Sequence, residues 1–185
     1  MSEAGSISKV GKKLSVLDES GAHLFLSTAS NRNHTISKVL ADLISEKKQD
    51  GVYVSLNKEC DLIRKKYIKP DMASSLIYYI ETSTHPKDHS CVNCMHVSSP
   101  YALTELSLAV NTLLSSGKFR FLIFDSLDTL EIHHNPKIIE QFIHYLAVML
   151  HKYNITGIIL ASDGKNKSKL LLSIMNICDD VTELS

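Results

Sequence analysis

The stretch Leu24-Phe25-Leu26-Ser27-Thr28-Ala29-Ser30-Asn31-Arg32-Asn33-His34-Thr35 lies between a short apolar run and a helical pattern. A strand–loop–helix unit that cradles phosphate would sit there. Such a cradle needs glycines, so that backbone N–H groups can wrap the phosphates, and a lysine to reach the outer ones. Laid on the pattern G-x-x-x-x-G-K-[ST], the glycine positions hold Thr28 and Asn33, the lysine position holds His34, and only Thr35 fits. Side chains stand where backbone should approach phosphate. The candidate contact set is Thr28, Asn31, Arg32, Asn33, His34 and Thr35. A helix N-terminus still offers N–H groups and partial positive charge. Ser30 to His34 is therefore a candidate weak phosphate or sulfate site, to which Arg32 and His34 would add. Thr35 has two readings: a contact to Mg²⁺, or the cap of a helix beginning at Ile36.

Asp125 ends the apolar run Phe119 to Phe124. It could support Mg²⁺ beside a nucleotide, or cap a loop backbone with help from Ser126; Asp128 reads as a loop residue or a cap. The phrase His89-Ser90-Cys91-Val92-Asn93-Cys94-Met95-His96 holds a C-x₂-C pair flanked by two histidines. Zn²⁺ accepts four sulfur or nitrogen ligands tetrahedrally, and C-x₂-C is a proper half-site. Packing His89, Cys91, Cys94 and His96 around one ion within so short a segment is geometrically tight. The alternative is a loop running into a buried strand with Cys94 in the core. Cys60 and Cys178 read as small buried residues. His133-His134 reads as a loop pair after the Asp125 strand. No Ser/His/Asp set or G-x-S-x-G elbow is present, so no catalytic residue is assigned.

The elements that must position these residues follow from periodicity. Strands are expected at His23 to Ser27, Val52 to Leu56, Leu76 to Ile80, Cys94 to Val97, Phe119 to Phe124, Ile155 to Ala161 and Asp180 to Leu184. The near-continuous apolar runs suit strands buried on both faces of a parallel sheet. Helices are expected from His34 to Lys47, from Lys58 to Tyr67, from Ser99-Pro100 to Gly117, from Asn135-Pro136 through Leu150, and from Lys167 to Ile177. Thr82 to Ser90 reads as a loop. The alternation argues an α/β domain with a mainly parallel sheet. Residues 1–20 are read as a tail or edge element, and 21–185 as one domain.

The order of these segments resembles the RecA-like core of the KaiC-type ATPases. Gly51-Val52-Tyr53-Val54-Ser55-Leu56 looks like their second strand, and Phe121-Leu122-Ile123-Phe124-Asp125-Ser126-Leu127 like the Walker B strand. Ile155-Thr156-Gly157-Ile158-Ile159-Leu160 looks like the next strand, and Asp179-Asp180-Val181-Thr182-Glu183-Leu184 like the closing one. Ser99-Pro100-Tyr101-Ala102-Leu103-Thr104 and Phe124-Asp125-Ser126 are similar to small archaeal RecA-like proteins. The resemblance implies a single RecA-like domain with helices on both faces of the sheet. Its paired glutamates after strand two, expected to activate water, correspond here to Asn57 and Lys58, neither of which is a carboxylate base. Phosphate grip and base are lost together. The resemblance thus implies a degenerate, catalytically inactive member, a regulatory or protein-interaction module in an archaeal-type cytoplasm. It would have no resident cofactor and would assemble with itself or a protein partner. The alternative is an ATP-binding or ATP-hydrolysing protein in which Thr35 and Asp125 hold Mg²⁺ and Arg32, His34 or a partner's basic residue replaces the lysine.

Bulk properties bound these readings. The chain has 185 residues, with Lys+Arg and Asp+Glu both totalling 20. That is enough for one domain with a sizeable core. Zero net charge argues against nucleic acid as a partner, although Arg64-Lys65-Lys66 and Lys165 to Lys169 form local basic clusters. No apolar run approaches the roughly 20 residues of a membrane helix. Met1 to Leu14 lacks the apolar core of a secretory signal. Four cysteines in a chain of this length do not make a disulfide framework, so a reducing cytoplasm is expected.

Overall fold

A computed structural model describes residues 20–69, 77–82, 92–163 and 168–184. Seven strands form one sheet: β1 (Gly21–Ser27), β2 (Gly51–Ser55), β3 (Ile77–Thr82), β4 (Cys94–Val97), β5 (Phe121–Asp125), β6 (Thr156–Ser162) and β7 (Asp180–Leu184). Their spatial order is β4-β3-β2-β5-β6-β1-β7, and every neighbouring pair is parallel. Helices α1 (Ala29–Ala41), α2 (Cys60–Tyr67), α3 (Leu103–Leu114), α4 (Leu127–His133), α5 (Pro136–Tyr153) and α6 (Lys169–Ile177) connect them. A π-helical turn, Asp42–Glu46, extends α1.

The burial strings explain the layers. β1, β2 and β5 are buried at every position, as strands covered on both faces must be. Alternate side chains feed two cores. On one face Leu24, Val54, Leu122 and Ile159 pack with Leu106, Val110, Ile143, Leu146 and Ile174. On the other, Phe25, Tyr53, Ile123 and Ile158 pack with Ile36, Leu40 and Ile63. The expected α/β architecture with helices on both faces is therefore present. Asn135 caps α5 by accepting from the Ile138 N–H at 3.1 Å, with Pro136 in the first turn, where a missing N–H costs nothing.

Several boundaries differ from expectation. The first helix begins at Ala29, directly after β1, because Thr28 already has extended N-cap geometry (φ −65°, ψ 156°). Thr35 is therefore no cap; it is buried inside α1. Ser99-Pro100 does not open α3. The Ser99 carbonyl accepts from the Ala102 N–H in a turn, and the helix starts at Leu103. Asp128 and His133 lie in α4 and not in a loop, with His134 as its C-cap. Residues 1–19, most of the expected loop from Thr82 to Ser90, and Lys165 to Lys167 lie outside the described residues.

Gly51 stands opposite Phe121 in the β2–β5 register. A methyl group built on Gly51 would lie 2.0 Å from the Phe121 ring, and that ring is fully buried. Gly51→Ala should therefore lower stability by about 1–3 kcal/mol through overpacking, read from the urea midpoint at unchanged m-value.

Candidate functional site: the carboxyl edge of the sheet

Parallel strands deliver their carboxyl ends to one edge, the usual ligand crevice of open α/β sheets. Here that edge gathers Ser27 and Thr28 from β1, Ser55 to Lys58 after β2, Asp125 and Ser126 from β5, and Ser162 from β6. Asp125 is 1% exposed. Its Oδ2 accepts from the Tyr53 hydroxyl at 2.9 Å and from the Lys58 ammonium at 2.7 Å. Its Oδ1 makes no hydrogen bond among the described residues. Lys58 can reach Asp125 because β2 and β5 are neighbours, with Ser55 opposite Asp125. The Ser55 hydroxyl accepts from the Lys58 N–H at 3.1 Å and turns the chain back over the sheet edge. Burial first, then the Asp125 charge and hydrogen bond, push the Tyr53 phenol well above its usual pKa. Tyr53 is therefore a fixed neutral donor.

A second network replaces the expected loop. The Asn31 and Arg32 N–H groups donate to the Thr28 carbonyl, so this backbone turns into helix and does not wrap an anion. Arg32 points across the edge. It donates to Ser126 Oγ at 3.3 Å and to Ser162 Oγ at 2.8 Å, and forms a hydrogen-bonded ion pair with Asp128. Asp128 also accepts from the Ser162 N–H at 2.9 Å and the Ser126 hydroxyl at 3.2 Å. Burial raises the Asp128 pKa, but the Ser162 N–H and the Arg32 hydrogen bond and charge outweigh it and hold the carboxyl below its usual range. Asn33 Oδ1 accepts from the Tyr67 hydroxyl at 2.8 Å. Burial and the Asp125 charge push that phenol up to about 12, against the Arg32 charge. Asn57 donates to Thr129 at 3.1 Å.

The structure brings the sequence-derived residues together only in part. Arg32 and Asn33 face the edge, but on internal partners. His34 is exposed on α1, and Thr35 is inside it. Thr28 Oγ1 shares a hydrogen bond with Ser30 at 3.0 Å. Asn31 sits half-buried in the first turn of α1. The anion loop expected over Ser30 to His34 is helix, a correction with a plain cause: without the two glycines, the chain after β1 has no reason to avoid helical geometry. Sequence reasoning missed the Lys58–Asp125 pair, Tyr53 and the Arg32–Asp128–Ser162 network. The signal for the first was present, since a lysine stood where the resemblance places a carboxylate.

Of the zinc phrase, His89 and Cys91 lie outside the described residues. Cys94 begins β4, and His96 Nδ1 lies 3.1 Å from Glu81 Oε1. Cys60 is buried, as expected, and is disulfide-bonded; Cys94 and Cys178 are free and half-buried.

The sequence matches no protein-family model and no curated protein. The fold has clear counterparts. A KaiC-like protein from the hyperthermophilic archaeon Pyrococcus horikoshii superposes with a TM-score of 0.65 at 12% identity, over 89% of this chain and 72% of that one. The chain has a RecA/KaiC-like fold. No helix among the described residues is long and apolar enough to cross a membrane.

Two outcomes follow. Lys58→Met leaves a buried carboxylate with one fewer partner and should cost roughly 1.5–3 kcal/mol. Combined with Asp125→Asn it should cost less than the two single changes summed, in a double-mutant cycle by urea unfolding. Asp128 has a folded pKa below its unfolded value of about 3.9, so the unfolded chain binds its proton first. Its contribution to stability is complete above that pH and disappears as pH falls through the lower folded value. Asp128→Asn should remove that part of the acid dependence in melts between pH 5 and 2.

Proposed function

We propose that this chain is a RecA/KaiC-like domain without nucleotide turnover, working as a regulatory or protein-interaction module. One observation carries the reading: the Lys58 ammonium sits 2.7 Å from Asp125 Oδ2. A nucleotide-bound Mg²⁺ at that carboxylate would need oxygen ligands at about 2.0–2.1 Å in near-octahedral geometry. It would also meet a fixed like charge. The start of α1 supports the same reading, because no backbone nest awaits a triphosphate. Arg32, the natural stand-in for the missing lysine, is already paired with Asp128. A protein partner, or a second copy, fits the opposite layer. There Tyr101 and Leu108 are exposed, each at 63%, around a shallow cavity of about 490 Å³ that Ile138 and His134 also line. Exposed apolar groups gathered around a concavity are the kind of surface that partners cover.

The alternative, an ATP-binding protein with a non-standard loop, has its own observation. Asp125 Oδ1 makes no hydrogen bond among the described residues, and Lys58, Lys65, Lys66 and Tyr67 line a cavity of about 400 Å³.

Thermal melts separate the two readings. At several millimolar Mg-ATP the inactive module should show no rise in Tm, and the purified protein should release no phosphate above the buffer rate. A site with Kd near 10 µM would be stabilised by several kcal/mol under those conditions, and a rise of that size would establish the alternative. Light scattering should report a mass above the 20.6 kDa of one chain, or of one chain plus its partner, and Leu108→Asp should reduce it.

A further inference from the structure

On the α2 side of the sheet edge, away from Asp125, sulfur and carboxylate donors converge. β3 and β4 pair with Tyr79 opposite Cys94 and Glu81 opposite His96. By the two-residue period of strands, all four side chains share one face. That face meets the first turn of α2, where Cys60 stands. One ligand atom each from Cys60, Glu81 and Cys94 lies within 4.8 Å of the other two.

The carboxylate is the telling member. Glu81 is 1% exposed. Its Oε2 accepts the Cys60 N–H, but Oε1 makes no hydrogen bond among the described residues, although His96 Nδ1 lies 3.1 Å away. A buried carboxylate needs compensating partners, and the His96 contact to Oε1 supplies one. One of the Glu81 oxygens lies within 4.8 Å of the Cys60 and Cys94 sulfurs. Burial, then the Glu81 charge, push the Cys94 thiol up to about 12. Arg64, whose guanidinium lies 5.5 Å over the Tyr79 ring, supplies nearby positive charge.

We propose that Cys60, Cys94 and Glu81 form a redox-gated site for a thiophilic divalent cation, Zn²⁺ foremost, with water or His96 at the fourth position. The ligand set fits: Zn²⁺ takes thiolate at about 2.3 Å and carboxylate at about 2.0–2.2 Å. Tetrahedral ligand atoms at those bond lengths stand roughly 3.3–3.8 Å apart, so a shift of about 1 Å closes the trio on one ion. The gate is the Cys60 disulfide. In that state the sulfur is no thiolate donor. A dithiol reductant delivers two electrons and two protons, breaks the S–S bond to give two thiols, and becomes a disulfide itself. Metal binding then releases the Cys60 and Cys94 thiol protons to water. The inference is independent of the Asp125 edge and holds whether or not nucleotide binds there.

Cobalt substitution tests it on the full chain. Protein reduced with a dithiol, stripped of metal and desalted anaerobically is titrated with Co²⁺. One equivalent should produce thiolate-to-cobalt absorption in the near ultraviolet and tetrahedral bands in the visible, and Zn²⁺ should bleach both. Cys94→Ser and Glu81→Gln should each weaken binding at least about 10-fold, and His96→Ala by about the same factor or less. Cys178→Ser should change nothing. The oxidised protein should show no thiolate band. If Glu81→Gln does not fold by circular dichroism, Cys94→Ser carries the test alone. No thiolate band from reduced wild type overturns the proposal, as does a band unaltered by Cys94→Ser or one equally strong with the disulfide intact.

Discussion

A carboxylate sealed at the carboxyl end of a central strand must find positive charge or be neutralised, because an isolated buried ion costs several kcal/mol even after relaxation. Asp125 is such a group, and the rest of the sheet edge is arranged around how it is satisfied. Lys58 supplies the positive charge from within the chain, with Tyr53 held as a neutral donor beneath. The counter-charge is covalently attached, close and permanent. A dissolved Mg²⁺ would have to displace it and find other ligands.

Internal partners recur along the edge. Where a loop would wrap phosphate, α1 begins one residue beyond β1. Arg32 is tied to Asp128, Ser126 and Ser162, linking α1, the start of α4 and the end of β6. Asn33 is held by Tyr67 of α2. These bonds cross-link α1, α2, α4 and the end of β6 at the sheet edge. Tyr101 and Leu108, both exposed, lie in the opposite layer.

The layout of the fold was legible because its strands are the apolar runs. Phe121 to Asp125 and Thr156 to Ser162 could hardly be anything but buried parallel strands, and Asn135-Pro136 announces its helix by cap chemistry. The loop was misread at Ser30 to His34 because the template assumed a loop must be there; nothing in Ala29-Ser30-Asn31-Arg32 forbids helix once the glycines are gone. Lys58 stood out in the sequence, but its pairing with Asp125 did not. The pair joins residues far apart in sequence through the β2–β5 register, and a single sequence does not show which strands are neighbours. Glu81 escaped notice in the same way. The Cys/His phrase drew attention to Cys94 and His96, yet the sheet brings Cys60 and Glu81 to Cys94 across three elements.

The most direct measurement is a high-resolution crystal structure of the wild-type protein grown with millimolar Mg-ATP. The account predicts the Lys58 ammonium on Asp125 Oδ2, α1 starting at Ala29, and solvent alone beyond them. Density for a magnesium ion coordinated by Asp125, with Lys58 swung aside and a triphosphate along the start of α1, would contradict it.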